Sequence, residues 1–163
     1  MTGAFETLDV GRRTPFAHLS RVAPFDREWV RIDLAVAFPE DGTGAAGPVI
    51  LARRVAGDLR TAPRVSYVSA PTCPGLQDVV LEIETLRAPH IDVPGLGRYE
   101  SDEIVVTGDG PGYRVWGQGS LTNDPVEHGS LEIDVGSAHP VGAWVDRVIA
   151  IAASCWRPSL PKP

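Results

Sequence analysis

Residues 28–38, EWVRIDLAVAF, decide the fold class because apolar and polar side chains alternate along them. Five apolar residues share one side of the extended chain: Val30, Ile32, Leu34, Val36 and Phe38. Arg31 and Asp33 fall on the opposite side. Strict alternation over this length predicts a half-buried β-strand.

Similar patterns recur along the chain and predict further strands. The segments 79–87 and 131–135 place apolar residues at alternate positions, and a further strand is expected at 65–68, after Pro63. The glycine-rich turn at 108–112 joins 104–107 to 113–121 and predicts a β-hairpin with a longer loop. We therefore expect a run of short, antiparallel strands.

Two helices are expected. In residues 48–60, Pro48 suits a first helical position. Leu51, Val55 and Leu59 recur at four-residue intervals, which favours a helix, although a strand beginning at Val49 is the alternative. The second helix is predicted at 138–155. Ser137 is its expected cap, and its apolar stripe comprises Trp144, Val148 and Ala152.

Together these elements predict an α+β domain. We expect a mainly antiparallel sheet of about six to eight strands, curved or barrel-like, with the C-terminal helix packed on it and one earlier helix. The chain has 163 residues, which suffices for one core. Residues 1–156 form the predicted domain, and residues 157–163 are a proline-rich C-terminal tail.

Charge and hydropathy limit the partners. The formal net charge is −6, and no basic stripe is present, so we expect no nucleic-acid partner. No apolar run approaches the roughly 18–20 residues of a membrane span, so no membrane partner is expected either. Fourteen of the fifteen Lys and Arg residues are Arg, a bias typical of a GC-rich bacterial genome.

The two cysteines, Cys73 and Cys155, lie 82 residues apart in the sequence. Residues 1–25 contain no continuous apolar segment of the secretory kind, so we expect a cytoplasmic protein. Disulfides are uncommon in the cytoplasm, which predicts that both thiols are reduced and unpaired.

A proline-bracketed segment contains the first candidate catalytic residues. In an extended chain His90 and Asp92 project to the same face, where the carboxylate can orient the imidazole as a general base. Glu82 and Glu84 are reserve candidates, should the sheet close and turn their strand face inward. The alternative in both cases is a solvated polar surface.

Four aromatic residues are candidates for a ligand pocket: Trp29, Tyr67, Tyr113 and Trp116. Cross-strand packing is their alternative role. No metal site is expected because the His and Glu spacings match no zinc pattern. No cofactor is expected, since the glycine-rich segments lack the context of a phosphate-binding or dinucleotide-binding loop.

These observations favour a small-molecule-binding domain whose ligand is mainly apolar. Size, acidity and the lack of cofactor motifs suit a cofactor-free cyclase, isomerase or dehydratase of bacterial secondary metabolism that uses a His or a carboxylate for proton transfer. The alternative is a non-catalytic protein-interaction or assembly module, for which exposed aromatics and long strands serve equally well. A homo-oligomer is compatible with both.

Overall fold

The computed structural model describes residues 13–24, 28–38, 47–58, 60–86, 110–120 and 128–160. Its six strands are β1 (Ala17–Val22), β2 (Trp29–Ala37), β3 (Val49–Gly57), β4 (Arg64–Ser69), β5 (Gly112–Ser120) and β6 (His128–Val135). They form one sheet in the order β4-β3-β2-β1-β5-β6, and each neighbouring pair is antiparallel. The predicted α+β class with an antiparallel sheet is confirmed, and the described strands leave the sheet open.

Two helices, α1 (Leu76–Leu81) and α2 (Pro140–Ala152), cover one face of this sheet. The predicted C-terminal helix is confirmed, and its stripe of Trp144, Val148 and Ala152 is fully buried. The cap differs from the expected one: His139 rather than Ser137 precedes the helix, and its Nδ1 accepts a hydrogen bond from the backbone N–H of Val141 at 3.2 Å. No helix among the described residues is long and apolar enough to cross a membrane.

The main core lies between the helices and the sheet. Leu19 and Leu34 contribute from the central strands, and Trp144 contributes the largest fully buried side chain from α2. The indole Nε1 of Trp144 donates a hydrogen bond to the carbonyl of Val79 at 2.6 Å, so the buried polar atom is satisfied and α2 is joined to α1.

The prediction of a helix at 48–60 is wrong, because this segment forms strand β3. It pairs with β2 and β4 along its length. Residues four apart share a face in a strand as they do in a helix, so the spacing of Leu51 and Val55 cannot distinguish the two. The β-branched Val49 and Ile50 favour the strand. Its two edges are hydrogen-bonded to β2 and β4.

The strand expected at 79–87 is also wrong. Gly75 has a φ of 80°, a left-handed conformation that glycine adopts without strain, and it stands immediately before α1. Leu76, Val79 and Val80 then follow at helical spacing and are buried. A 3₁₀ turn at Glu82–Thr85 continues the helix, so Glu82 and Glu84 do not lie on a strand.

The prediction of two unpaired thiols is contradicted by a disulfide between Cys73 and Cys155. Its S–S distance is 2.13 Å, and it links the turn before α1 to the end of α2. Sequence separation does not reveal this proximity, which arises because the two helices pack side by side. Close by, Arg157 exchanges two backbone hydrogen bonds with Tyr67, so the first residue of the predicted tail is joined to β4.

The alternation in β2 is only partly as expected. Ile32 and Leu34 are buried against the helices, whereas Val36 is exposed and Phe38 is 70% exposed. On the other side of the strand Asp33 and Ala35 are fully buried. The face of the sheet opposite the helices, here called the outer face, therefore contains buried groups of its own.

Replacing Trp144 by alanine is expected to lower the free energy of unfolding by about 3–5 kcal/mol, because a fully buried indole is lost. Trp144→Phe keeps most of the packing and removes only the hydrogen bond to Val79, so its loss should be smaller. Denaturant unfolding measures both, and a change below about 0.5 kcal/mol in the alanine variant would contradict the burial.

The disulfide predicts that the denatured, unreduced protein contains no free thiol and that reduction releases two. In the double variant Cys73→Ser/Cys155→Ser the free energy of unfolding should be lower by about 2–4 kcal/mol, since the bond restricts the unfolded chain. Thiol titration and denaturant unfolding test the two parts, and two free thiols before reduction would show that the bond does not form.

Candidate functional site

A row of six side-chain positions crosses the whole outer face, one position from each strand. Its members stand directly opposite one another in consecutive strand pairs: Tyr67, Arg53, Asp33, His18, Trp116 and Glu132. We call this set the outer row. Directly opposite residues in antiparallel strands bring their Cβ atoms to about 4.5–5.5 Å, so neighbouring side chains in the row interact.

His18 and Asp33 form the centre of the outer row. The imidazole Nδ1 lies 2.6 Å from Oδ1 of Asp33, whose side chain is fully buried, whereas that of His18 is 26% exposed. Arg31 Nε donates to the same Oδ1 at 2.8 Å, and a guanidinium nitrogen of Arg53 lies 3.8 Å from Oδ2. A buried carboxylate needs such compensation, because losing its solvation costs several kcal/mol by rough estimate.

These contacts determine the tautomer of neutral His18. A carboxylate only accepts, so the 2.6 Å contact with Asp33 places the ring proton on Nδ1. The contact of Nδ1 with Arg31 is longer, at 3.3 Å, and a guanidinium cannot accept a proton from it. The lone pair is then on Nε2, which has no hydrogen-bond partner among the residues that the structure describes.

A cavity of about 330 Å³ opens beside His18. Its described lining residues are His18, Leu19, Ser20, Arg31, Arg114, Trp116 and Glu132. The ring centroids of His18 and Trp116 are 4.9 Å apart with the planes inclined by 33°. An aromatic wall with a few charged groups and an imidazole is the usual composition of a small-molecule site.

Arg114 is held at the side of this cavity by two carboxylates. It donates to both carboxylate oxygens of Asp134, at 2.7 and 3.1 Å, and its Nε lies 3.1 Å from Glu132. The hydrogen bonds to Asp134 raise the pKa of Arg114, with the negative charges of Asp134 and Glu132 acting in the same direction. The guanidinium is therefore fixed as a cation.

A second, wider groove of about 640 Å³ adjoins the cavity and shares Ser20 and Arg114 with it. Its described lining is rich in glycine and in backbone from the start of β5 and the end of β6. No imidazole is among those described lining residues, which include Tyr113 and Asp134.

Of the predicted catalytic residues, only Glu82 and Glu84 lie within the described part of the chain, and neither reaches this site. His90 and Asp92 lie outside the described residues. Glu82 forms an ion pair with Arg147 of α2, and Glu84 is exposed, so both belong to the helix side of the sheet. Neither glutamate lies on the outer face.

The four predicted aromatic residues have separate environments. Trp116 lines the cavity, and Tyr67 stands at the β4 end of the outer row. Trp29 packs on Gly57, where a Cβ would meet its ring at 3.3 Å. Tyr113 is buried in the core, where desolvation and then its hydrogen bond to Asp146 at 2.6 Å raise its pKa.

The sequence interpretation did not identify His18 as a candidate, although it placed Asp33 on the polar side of a strand. One signal was available: Arg31 and Asp33 interrupt an otherwise apolar strand, and charges in a buried strand need partners. The partners were not predictable, because strand order and register bring His18 and Arg53 to either side of Asp33.

Comparison with known proteins finds no match to this chain among family models, curated proteins or solved structures. Within the described residues, no group of three or more His, Cys, Asp or Glu is arranged to hold a metal ion.

His18 and His139 are expected to be opposite tautomers when both imidazoles are neutral. Nδ1 of His18 donates to Asp33, whereas Nδ1 of His139 accepts from Val141, so their protons belong on Nδ1 and Nε2 respectively. Long-range proton–nitrogen NMR spectra distinguish the two forms, with His18→Gln and His139→Gln used for assignment. An Nε2-protonated His18 would contradict the geometry around Asp33.

Proposed function

We propose that the domain binds a small, mainly apolar molecule in the outer-face cavity and transfers a proton through His18. The observation that carries this proposal is the hydrogen bond between His18 and the buried Asp33 at the wall of that cavity. A carboxylate that orients an imidazole and leaves Nε2 unprotonated is the arrangement that a general base requires.

In the proposed reaction, Nε2 of His18 takes a proton from an acidic C–H or O–H of the ligand. Asp33 stabilises the resulting imidazolium through Nδ1. Return of that proton to another carbon of the ligand gives an isomerisation, and its transfer to a departing hydroxyl gives a dehydration with release of water. If the carbanion instead attacks a carbonyl carbon within the ligand, the C=O π pair moves to the oxygen, which takes the proton back from His18, and the result is a cyclisation.

These reactions need no electron acceptor, so they agree with the proposal of a cofactor-free cyclase, isomerase or dehydratase. A place in bacterial secondary metabolism remains part of that proposal. His90 and Asp92 stay a separate prediction for the same role.

The compartment of the protein is also a matter for proposal. The sequence predicts the cytoplasm, whereas the bond between Cys73 and Cys155 favours an oxidising environment. We therefore propose an oxidising compartment for the folded protein.

A protein-interaction module is the second candidate function. It is favoured by Phe38 and Leu131, which are 70% and 55% exposed although both are large and apolar. A module of this kind has no use for an unprotonated imidazole beside a cavity, so the reactivity of His18 separates the two candidates.

Base activity is tested with nitrobenzisoxazole, an uncharged aromatic compound that opens to a coloured cyanonitrophenolate when a base removes its ring C–H and the N–O bond breaks. The wild-type protein should accelerate this opening. His18→Gln should reduce the acceleration by about 10²-fold, the low end of the range for loss of a general base. Asp33→Asn should also reduce it, because the imidazole loses its orienting partner.

His139→Gln is the matched control, since His139 is an imidazole that lies at the start of α2 on the helix side of the sheet. It should leave the rate of ring opening unchanged. Equal rates for the wild type and His18→Gln, with both proteins folded by circular dichroism, would exclude His18 as the base and would favour the interaction module.

A further inference from the structure

We infer that the natural ligand of the outer-face cavity carries a cationic amine, bound between the indole of Trp116 and the carboxylate of Glu132. This inference rests on the proposed function and names the class of its substrate: an organic amine with an apolar body. Both residues line the cavity, and they stand directly opposite each other in β5 and β6.

The positions of the two side chains suit an ammonium group. A cation over an indole face is attracted by the ring quadrupole, and the attraction is largest for tryptophan. His18 already lies against one side of the Trp116 ring, at 4.9 Å between centroids, and Glu132 is the next member of the outer row on the other side. An amine between Trp116 and Glu132 thus gains a ring face and a carboxylate together.

The local charges also favour a cation over an anion. Two carboxylates, Glu132 and Asp134, share the single guanidinium of Arg114. Arg114 uses two hydrogen bonds on Asp134 and reaches Glu132 only through Nε, so the three side chains together retain one negative charge. Glu132 is half exposed, which leaves it accessible to a ligand. Arg31 also lines the cavity, but its guanidinium is paired with Asp33 at 2.8 Å. Beside Glu132, an ammonium therefore neutralises the excess charge, whereas a ligand carboxylate is repelled.

The amine is the group that positions the ligand and is distinct from the group that reacts. His18 and Glu132 lie on β1 and β6 with β5 between them, so their Cα atoms are about 10 Å apart at two strand spacings. A ligand that binds Glu132 through its amine therefore presents to Nε2 of His18 an atom several bonds away. The body between the two ends rests on Trp116.

Three probes with the same phenyl ring test this inference: phenethylamine, phenethyl alcohol and phenylacetate carry an ammonium, a hydroxyl and a carboxylate. Binding is measured by the shift of the Trp116 indole N–H in proton–nitrogen NMR, assigned with Trp116→Leu. Phenethylamine should bind about tenfold more tightly than the alcohol, which corresponds to about 1.4 kcal/mol, and phenylacetate should bind more weakly than the alcohol.

Glu132→Gln should remove the advantage of phenethylamine over phenethyl alcohol, because the amide keeps the shape and loses the charge. Glu84→Gln is the matched control. It removes one carboxylate from the exposed helix side and so changes the net charge equally. This variant should keep the advantage.

Three results would overturn the inference: equal affinity for amine and alcohol, equal losses in Glu132→Gln and Glu84→Gln, or no binding of any probe. The ring-opening assay on the wild-type protein separates this failure from failure of the proposed function. Ring opening that depends on His18, without a preference for the amine, would overturn the ligand class alone.

Discussion

The burial of the Asp33 carboxylate on the outer face of a central strand is the constraint on which the arrangement of the sheet depends. A carboxylate without solvent is tolerated only with close positive or hydrogen-bonding partners, and here β1, β2 and β3 each supply one: His18, Arg31 and Arg53. A slip of one residue in the pairing of β2 with β1 or with β3 would separate Asp33 from His18 or from Arg53. One of the two paired side chains would then face the helix-side core. The ion cluster thus selects the same register as the apolar residues.

The two faces of the sheet therefore differ in composition: one is apolar and covered by the helices, and the other carries charged side chains. The helix face is filled by Trp144 and the apolar stripe of α2, and the bond between Cys73 and Cys155 holds the two helices together. Stability is concentrated there. The outer face presents charged side chains from β1, β2, β3 and β5, which are hydrogen-bonded on both sides, and from β6, which pairs with β5. Groups on such rigid strands keep their geometry when a ligand enters, which is what a proton-transfer site requires.

The fold class was predictable because it depends on local sequence pattern. The alternation of β2 predicted a strand and the apolar stripe of α2 predicted a helix, and both elements are confirmed. The spacing of Leu51 and Val55 fits both a helix and a strand, so it could not predict strand β3. Helix α1 follows Gly75, whose left-handed backbone conformation is not visible in the alternation of apolar residues. The site depends on strand order. The sequence shows that Asp33 needs a partner, but only the pairing of β1 with β2 shows that His18 is that partner.

The charges along the outer row explain why a cationic ligand is compatible with a base that itself becomes positive. An ammonium over Trp116 lies about one strand spacing, roughly 5 Å, from the imidazole, where two like charges repel by about 3 kcal/mol at an effective dielectric constant of about 20. Each cation, however, lies next to a carboxylate, which it shares with an arginine: Asp33 is 2.6 Å from His18, and Glu132 stands opposite Trp116. Because a carboxylate adjoins each of the two positions, the repulsion across the ring is offset at both ends. The carboxylates at either side of the cavity are therefore needed together, one for the base and one for the ligand.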